Sequence, residues 1–302
     1  MKRVIILLGP TGVGKTGAAI LMAKALDTEI ISADSMQIYR GMDIGTAKPS
    51  LRERSGVIHH MIDIVDPSVS FSTGQFIGQI TGVIGALHEK EKVPVIVGGT
   101  GLYIKAITRG IFSGPSADWA LREELIETER GKRGTLYSYL SGVDPEAAER
   151  IEPNDTRRVI RAIEVCLKSG DKMSLLQENF TRPLPYDFIK IGLARERKEL
   201  YGMIERRVDK MIGEGLVGEV ERLLGRSPDR TPLQAIGYKE IASHLRGDIS
   251  LDEAVRLVKR NTRRYAKRQY TWFRREEGIR WFDITGIYTS EEVFAKIKAV
   301  LE

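Results

Sequence analysis

The chain has 302 residues, of which 42% are hydrophobic and 29% charged, and its net charge is +6. The longest aliphatic run near its start, residues 4–8, is far shorter than a membrane span. The only cysteine, Cys166, excludes an internal disulfide framework and suits a reducing compartment. We therefore expect a globular protein of the cytoplasm that does not associate with membranes.

The first third of the chain alternates short aliphatic runs with amphipathic segments. Strands are predicted at residues 3–8, 29–33, 59–65 and 93–97, and helices at residues 17–26, 72–91 and 102–108. Residues 37–49 are polar and contain glycine, so we predict a loop there. Strands that alternate with helices of this length predict an α/β protein with a doubly wound parallel sheet.

The pattern changes after this first third. Residues 116–172 have helical periodicity and no convincing strand, and Asp144 and Glu152, each followed by proline, predict turns before helices. The strand signal returns at residues 186–194, a long helix is predicted at 196–224, and a last strand at 279–282. We therefore predict a core formed by residues 1–115 and 183–302, with a smaller, all-helical insertion domain at residues 116–182.

A glycine-rich segment directly follows the first strand and matches the P-loop pattern GxxxxGK[ST]. Its residues are Gly9, Pro10, Thr11, Gly12, Val13, Gly14, Lys15 and Thr16. Glycines let backbone N–H groups converge on phosphate oxygens, and the next helix directs its positive end at the anion. Lys15 adds a positive charge, and the Thr16 hydroxyl is a ligand for Mg²⁺. The segment predicts a P-loop core that binds a diphosphate or triphosphate group, with Mg²⁺ as cofactor.

The second predicted strand ends at Asp34, for which three interpretations remain open. In many P-loop ATPases and GTPases an Asp at a strand end completes the magnesium shell. Alternatively, Asp34 is a catalytic base or the cap of a turn. A base beside a diphosphate leaving group suits transfer of the group that is attached to that diphosphate.

The C-terminal region contains a basic tract, residues 256–275, with nine Lys or Arg residues and no Asp or Glu. Such a concentration predicts contact with an RNA backbone, and we expect most of its aromatic residues in the core. Two other functions remain open, a small-molecule kinase and a non-enzymatic RNA-binding NTPase switch. One feature of the sequence argues against both of these functions. Asp34 is paired with Thr100, which follows two glycines, and the sequence offers no obvious second acidic metal ligand.

The P-loop and five further sequence blocks resemble the corresponding segments of the tRNA dimethylallyltransferases, also called tRNA isopentenyltransferases. The blocks are SADSMQIY (32–39), GMDIGTAKP (41–49), GGTGLY (98–103), PND (153–155) with the arginines that follow it, and AIGY (235–238). They occur in the family order over nearly the whole chain, and the GMDIGTAKP block is far more specific than any P-loop.

The resemblance implies dimethylallyl diphosphate as donor and, as acceptor, the adenosine on the 3′ side of the anticodon in the tRNA anticodon stem-loop. It implies that Asp34 is the base on the adenine amine, that Thr100 lies beside the reacting centre and that Arg207 holds the diphosphate. We expect a monomeric enzyme whose insertion domain contacts tRNA. The residues that match tRNA-contacting segments are Asp34, Ser35, Met36, Gln37, Arg122, Arg157, Arg158, Val159, Ile160, Arg161, Gln234, Ala235, Ile236, Gly237, Tyr238 and Lys239.

Overall fold

Six parallel strands form one sheet in the larger of two compact units. The computed structural model describes residues 1–54, 56–112 and 114–301. The strands are β1 (Arg3–Leu8), β2 (Ile30–Ala33), β3 (His59–His60), β4 (Val95–Gly98), β5 (Asp187–Ala194) and β6 (Ile279–Asp283). They are arranged in the order β3-β2-β4-β1-β5-β6, and each neighbouring pair is parallel. This is the predicted doubly wound α/β fold.

Helices connect the strands and complete both units. They are α1 (Lys15–Ala25), α2 (Leu51–Arg54), α3 (Thr73–Glu89), α4 (Gly101–Arg109), α5 (Trp119–Gly131), α6 (Thr135–Val143), α7 (Pro145–Arg150), α8 (Thr156–Ser169), α9 (Met173–Phe180), α10 (Arg197–Gly213), α11 (Leu216–Leu224), α12 (Arg230–Leu233), α13 (Tyr238–Leu245), α14 (Leu251–Phe273) and α15 (Ser290–Ile297). Ser72 caps the start of α3, because its side chain accepts a hydrogen bond from the N–H of Gln75 in a capping box.

The aliphatic residues of the central strands form the core of the larger unit. In β1, residues from Val4 to Leu8 are buried on both faces, as expected for a strand in the middle of a parallel sheet. Residues of α1, α10 and α15 join them in one hydrophobic cluster. The rigid sheet therefore ends, at the carboxyl end of β1, directly in the phosphate motif.

Two predictions of secondary structure were wrong for local reasons. The strand expected at residues 59–65 is limited to β3, because Met61 and Asp63 have φ values of 63° and 57°, which no extended strand can contain. The single helix expected at residues 196–224 is divided into α10 and α11, because Gly215 adopts a φ of 98°. A glycine in this conformation ends one helix and begins the next.

The smaller compact unit comprises residues 107–184, and the elements that lie wholly within it are the helices α5 to α9. It begins before residue 116 because the entering and leaving segments run side by side. The N–H of Leu184 donates to the carbonyl oxygen of Ile107 at 3.3 Å. A Cβ on Gly110 would lie only 2.2 Å from the carbonyl oxygen of Arg182.

Candidate active site

Three neighbouring strands bring the predicted site residues to one edge of the sheet. The last residues of β2, β4 and β1 are in register, with Ala33 opposite Gly98 and Gly98 opposite Leu8. Asp34 follows β2, the turn with Thr100 follows β4, and the phosphate loop, residues 9–16, follows β1. In open α/β sheets, ligands bind outside these carboxyl ends. The topology therefore assembles the three motifs that are separate in the sequence.

The phosphate loop turns from β1 into α1 through glycines at positive φ. The values are 152° at Gly9, 80° at Gly12 and 109° at Gly14. A Cβ at Gly9 would lie 2.7 Å from the carbonyl oxygen of Leu193, so the close approach to β5 also requires glycine. Because α1 begins at Lys15, its free N–H groups and its positive end lie directly after the loop.

A cavity of about 1020 Å³ lies beside this loop within the larger unit. Ligand pockets usually have volumes of about 300–1,000 Å³, so this space can hold a small donor and part of an acceptor. The predicted residues that line it include Lys15, Thr16, Asp34 and Arg207. The structure thus brings the phosphate loop after β1 and the acidic residue after β2 into one cavity.

Two cations flank the phosphate loop. Lys15 donates from Nζ to the carbonyl oxygens of Gly9, at 2.9 Å, and Pro10, at 2.8 Å. Burial lowers the pKa of Lys15 to about 7, although the nearby Asp34 opposes this shift. Burial also lowers the pKa of Arg207, again against the effect of Asp34. An additional anion in the cavity would therefore stabilise the charged forms of both Lys15 and Arg207.

Asp34 caps a turn with one oxygen and keeps the other free. Its Oδ1 accepts hydrogen bonds from the N–H groups of Met36, at 2.9 Å, and Gln37, at 3.3 Å. Thr100 Oγ1 accepts the N–H of Ser35 at 3.1 Å, which joins the ends of β2 and β4. Among the residues that the structure describes, no protein donor bonds Oδ2. The cap interpretation is therefore compatible with a second role for the same carboxylate.

The oxygen atoms around the loop fit Mg²⁺. The Thr16 hydroxyl and the Asp34 carboxylate line the same cavity, and Mg²⁺ usually takes one or two protein oxygens together with phosphate oxygens and water. In residues 1–54, 56–112 and 114–301 there is no cluster of three or more His, Cys, Asp or Glu that suits a metal ion. These residues therefore suit a metal ion whose ligands come partly from the protein and partly from a bound phosphate group.

The GMDIGTAKP loop is held by a carboxylate that sequence reasoning missed. Glu219 of α11, which is 4% exposed, accepts the N–H groups of Asp43, Ile44 and Gly45 at 2.8–3.0 Å. It also accepts the Tyr238 hydroxyl at 2.6 Å. Burial, reinforced by this carboxylate, raises the pKa of Tyr238 far above its ordinary value. One buried charge thus fixes the most family-specific segment of the chain.

A signal for Glu219 was present in the sequence. In α11 it lies between Leu216 and Leu223 on the face that also carries Val220, and all these residues are buried. An acidic residue on the apolar face of an amphipathic helix must find hydrogen-bond donors, because an unpaired buried charge is very costly. The sequence does not, however, indicate where in the chain those donors are.

The segment at residues 234–239, which matches a tRNA-contacting segment of the family, is only partly exposed to solvent. The side chains of Gln234 and Lys239 are exposed, whereas Ala235, Gly237 and Tyr238 are buried and Ile236 is half-buried. The Tyr238 hydroxyl donates to Glu219, so Tyr238 supports the GMDIGTAKP loop through this carboxylate. Gln37, in the other matched segment, donates from Nε2 to the carbonyl oxygens of Thr46 and Ala47 at 3.4 and 3.5 Å.

Within the smaller unit, two of the matched arginines bind an internal carboxylate. The side chain of Glu164 is fully buried and accepts hydrogen bonds from Arg122, at 2.9 and 2.7 Å, and from Arg161, at 2.5 Å. Burial alone would raise the pKa of Glu164, but these hydrogen bonds hold it below its ordinary value. Arg122 and Arg161 therefore stabilise this unit as well.

The remaining matched residues of α8 divide by exposure. Val159 and Ile160 are 1% and 5% exposed and belong to the core of the smaller unit. Arg157 and Arg158 are exposed, and Arg158 forms an ion pair with Asp155 at 3.2 Å. On this helix, Arg157 and Arg158 are thus the side chains best placed for an external anion.

The basic tract on α14 is partly neutralised by acids from other positions. Arg256 pairs with Glu253 of the same helix, Lys259 with Asp209 at 2.6 Å, and Arg263 with Glu205. Arg264, Lys267, Arg268 and Arg274 remain exposed. The aromatic residues are mixed, since Phe273 is buried and Trp272 is 39% exposed. Two other residues of α14, Tyr265 and Gln269, line the cavity and were not predicted from the sequence.

No helix in the described ranges is both long enough and apolar enough to cross a membrane.

A phosphate loop after β1 that shares a cavity with a carboxylate after β2 defines a P-loop protein of the α/β class that acts on a phosphorylated compound. The family model for IPP transferase matches residues 37–276. The chain is 55% identical to the tRNA dimethylallyltransferase of Thermodesulfovibrio yellowstonii, with 99% of this chain and 98% of the relative aligned. The chain belongs to this family, the IPP transferases or tRNA dimethylallyltransferases.

Solved structures agree with this assignment. The tRNA isopentenylpyrophosphate transferase of Bacillus halodurans is 43% identical, with a TM-score of 0.73, and the match covers 100% of this chain and 97% of that one. A eukaryotic dimethylallyltransferase acting on tRNA is 28% identical, with a TM-score of 0.82, over 100% of this chain and 80% of its own. The family resemblance and the fold class predicted from the sequence are confirmed, and a transferase is favoured over the kinase and NTPase-switch alternatives.

The lowered pKa of Lys15 predicts that diphosphate binding takes up a proton. Because the anion stabilises the ammonium form, binding raises the pKa from about 7. As the pH rises above this value, free protein increasingly carries neutral Lys15, so affinity should fall by at most about tenfold per pH unit. Calorimetry of diphosphate binding in buffers with different ionisation heats measures the uptake. In Lys15→Arg, whose guanidinium stays protonated, the uptake due to this residue should disappear; equal uptake in both proteins would contradict the assignment.

A second prediction concerns the support of the GMDIGTAKP loop. Glu219→Gln replaces an acceptor oxygen by an NH₂ group that faces backbone N–H donors, so we expect the free energy of unfolding to fall by about 2–4 kcal/mol. Urea unfolding measures the change. Glu221→Gln is the matched control, because it makes the same substitution at an exposed position of the same helix. Equal effects of the two substitutions would show that the buried carboxylate does not hold the loop.

Proposed function

We propose that this protein transfers a dimethylallyl group from dimethylallyl diphosphate to the N6 amine of the adenosine on the 3′ side of the anticodon in tRNA. The observation that carries the proposal is the shared cavity, in which a diphosphate cradle faces a carboxylate with a free oxygen. The similarity to tRNA dimethylallyltransferases supports dimethylallyl as the transferred group and tRNA as the acceptor. The chain covers 98% of the first such relative, so its length suits the same activity.

The leaving group is stabilised by the phosphate loop and the two cations beside it. As the bond between C1 of the dimethylallyl group and the diphosphate oxygen breaks, the electron pair stays with the diphosphate. Backbone N–H groups of the loop, Lys15 and Arg207 are positioned to stabilise this growing negative charge. Lys15, which bonds two loop carbonyls in the free protein, turns its ammonium towards the incoming anion.

The acceptor side is formed by Asp34 and the turn that Thr100 holds. The N6 nitrogen forms its new bond to C1, and its surplus proton passes to Oδ2 of Asp34. Oδ1 stays bonded to the N–H groups of Met36 and Gln37, which keeps the carboxylate oriented. A positioned base of this kind contributes about 10²–10⁴-fold to the rate. The adenine must leave the stacked anticodon loop to reach this cavity.

Mg²⁺ is the proposed cofactor. When bound, it neutralises charge on the diphosphate, and the Thr16 hydroxyl, with phosphate oxygens, would hold it. The oxygen donors around the loop support this assignment because they suit a hard divalent cation.

Each unit has exposed cations that we propose as tRNA contacts. Arg157 and Arg158 of α8, Lys239 and the exposed arginines of α14 are suited to phosphate groups. A tRNA substrate also supports the proposed cytoplasmic location.

Labelled transfer tests the proposal directly. The protein is incubated with [1-¹⁴C]dimethylallyl diphosphate and unmodified tRNA, and the nucleosides are then separated after digestion. The expected product is labelled N6-dimethylallyl adenosine at the position 3′ to the anticodon, together with free diphosphate. A tRNA with guanosine at that position is the control and should remain unlabelled. Absence of label in the unmodified tRNA, or equal labelling of both, would refute the proposal.

Asp34→Asn separates a base from a magnesium ligand. The amide oxygen can still accept the N–H groups of Met36 and Gln37, but the side chain cannot take a proton. If Asp34 is the base, the single-turnover rate should fall about 10²–10⁴-fold, whereas donor affinity and magnesium requirement stay within about threefold. If Asp34 instead orders Mg²⁺, donor binding weakens and the magnesium requirement rises.

Asp66→Asn is the matched control for this substitution. Asp66 also caps a turn, accepting the N–H of Ser68 at 3.0 Å, but it is exposed and does not line the cavity. Its rate should equal that of the wild type. A rate for Asp34→Asn within threefold of the wild type would eliminate both roles of Asp34.

The exposed arginines of α8 are expected to bind tRNA phosphates. The double variant Arg157→Ala and Arg158→Ala should weaken tRNA binding about tenfold and reduce the slope of log affinity against log salt by about one to two. Binding of dimethylallyl diphosphate should not change. Filter binding at several salt concentrations measures the effect, with Arg150→Ala, an exposed arginine of α7, as control. An unchanged salt slope in the double variant would exclude phosphate contacts at these positions.

A further inference from the structure

Gln269 of α14 connects two loops that the sequence motifs identify separately. Its side chain is buried, with 4% exposure. Oε1 accepts the N–H of Thr11, in the phosphate loop, at 2.8 Å. Nε2 donates to the carbonyl oxygen of Gly99, in the turn after β4, at 2.7 Å. One side-chain amide thus joins the phosphate loop to the turn that precedes Thr100.

The surroundings of this amide are adapted to it. A Cβ on Gly99 would lie 2.4 Å from Nε2, so a larger residue at position 99 would displace the amide. One helical turn earlier, Tyr265 lines the same cavity, and burial raises the pKa of its hydroxyl to about 12, with the side chains of Thr100 and Gln269 opposing this shift. Thr11 is fixed a second time by Arg207, whose Nη1 donates to its hydroxyl at 3.2 Å.

These bonds connect the two sides of the proposed reaction. From Thr11 the connection passes through Gln269 to Gly99 and the adjacent Thr100, whose Oγ1 accepts the N–H of Ser35 beside Asp34. The loop holds the leaving group, and the turn orients the base. Group transfer depends steeply on this separation, since a displacement of about 1 Å can cost about 100-fold in rate.

We propose that Gln269 is a positioning residue that sets the separation between the diphosphate cradle and the Asp34–Thr100 side of the site. It acts through the backbone of Thr11 and Gly99. The inference rests on the proposed transferase function, because the separation matters for a reaction that joins a group held on one side to an amine held on the other.

Two substitutions test this role through their dependence on pH. In Gln269→Glu, the protonated carboxyl has one acceptor and one donor and can form both hydrogen bonds. The ionised carboxylate cannot donate to Gly99. Burial beside a carbonyl oxygen raises the carboxyl pKa, whereas the cations Lys15 and Arg207, which line the same cavity, lower it. Gln269→Met has a similar length and forms neither bond at any pH. A protonation-dependent difference between these variants is not expected from loss of packing.

We expect kcat of Gln269→Glu to be about 100-fold below the wild type near pH 8.5 and to approach it as the pH falls towards about 6. Gln269→Met should stay about 100-fold below the wild type throughout this range. The ratio to the wild type at each pH corrects for the titrations that the proteins share, and Gln269→Met, which adds no charge, gives the reference for them. Recovery in acid for the Glu variant, without recovery for the Met variant, supports the proposal.

Ile84→Ala controls for a loss of stability. Ile84 is fully buried on α3, which contributes no residue to the described lining of the cavity. Its kcat should equal that of the wild type at temperatures where circular dichroism shows a native fold. If Gln269→Met does not fold, the test rests on the increase in kcat of Gln269→Glu as the pH falls. If this increase only parallels an increase in the native circular dichroism signal of Gln269→Glu, the proposal is overturned. Rates of both Gln269 variants within threefold of the wild type, or reduced by one pH-independent factor, also overturn it.

Failure of this inference is distinguishable from failure of the proposed function. Transfer by the wild type in the same assays tests the function, whatever the variants do. Binding of inorganic diphosphate then tests the link to the cradle without any reaction. Loss of one hydrogen bond to the loop should weaken this binding about five- to tenfold in Gln269→Met, with acid recovery in Gln269→Glu. Equal affinity of all three proteins would refute the link.

Discussion

The site depends on the side-by-side arrangement of β2, β4 and β1. Neighbouring strands lie about 4.8 Å apart, so the ends of β2 and β1 are about 10 Å apart, with β4 between them. A substrate that reaches from the phosphate loop to Asp34 must therefore pass the end of the middle strand. That end is narrow, because Gly98 and Gly99 follow each other there, and a Cβ on Gly98 would lie 2.2 Å from the carbonyl oxygen of Ala33. The glycine pair thus serves close packing as well as access.

The charges in the cavity are arranged to receive an anion. Burial destabilises the charged forms of Lys15 and Arg207, and Asp34 only partly compensates. A diphosphate in the cavity would stabilise both cations without moving the backbone that holds them. Such preorganised groups are effective in catalysis, because no reorganisation is needed when negative charge develops on the leaving group. The burial of Lys15 and Arg207 therefore destabilises the free protein, and binding of a diphosphate relieves this destabilisation.

The sequence predicted those parts of the molecule that depend on local patterns. Buried strands appear as aliphatic runs, and the phosphate loop is a contiguous motif, so the order of elements and the location of the cradle could be inferred directly. Met61 and Gly215 show the limit of periodicity, because a single left-handed residue ended a strand or divided a helix. Glu219 and Gln269 could not be assigned, because the backbone groups they bind lie 170 or more residues away along the chain. For the same reason, the binding of Arg122 to Glu164 was not visible in the sequence.

The long connection between Gln269 and Thr11 has a consequence for the order in which the site forms during synthesis. Domains generally begin to fold from the N-terminus as the chain leaves the ribosome. The phosphate loop is among the first segments made, yet Arg207, which binds the Thr11 side chain, is made much later, and Gln269 follows only near the end. A nascent chain that stops before residue 269 therefore contains the complete phosphate motif but lacks one of the hydrogen bonds that fix its shape. The phosphate motif alone is therefore not sufficient for the full affinity for a diphosphate, which is reached only when α14 has been made.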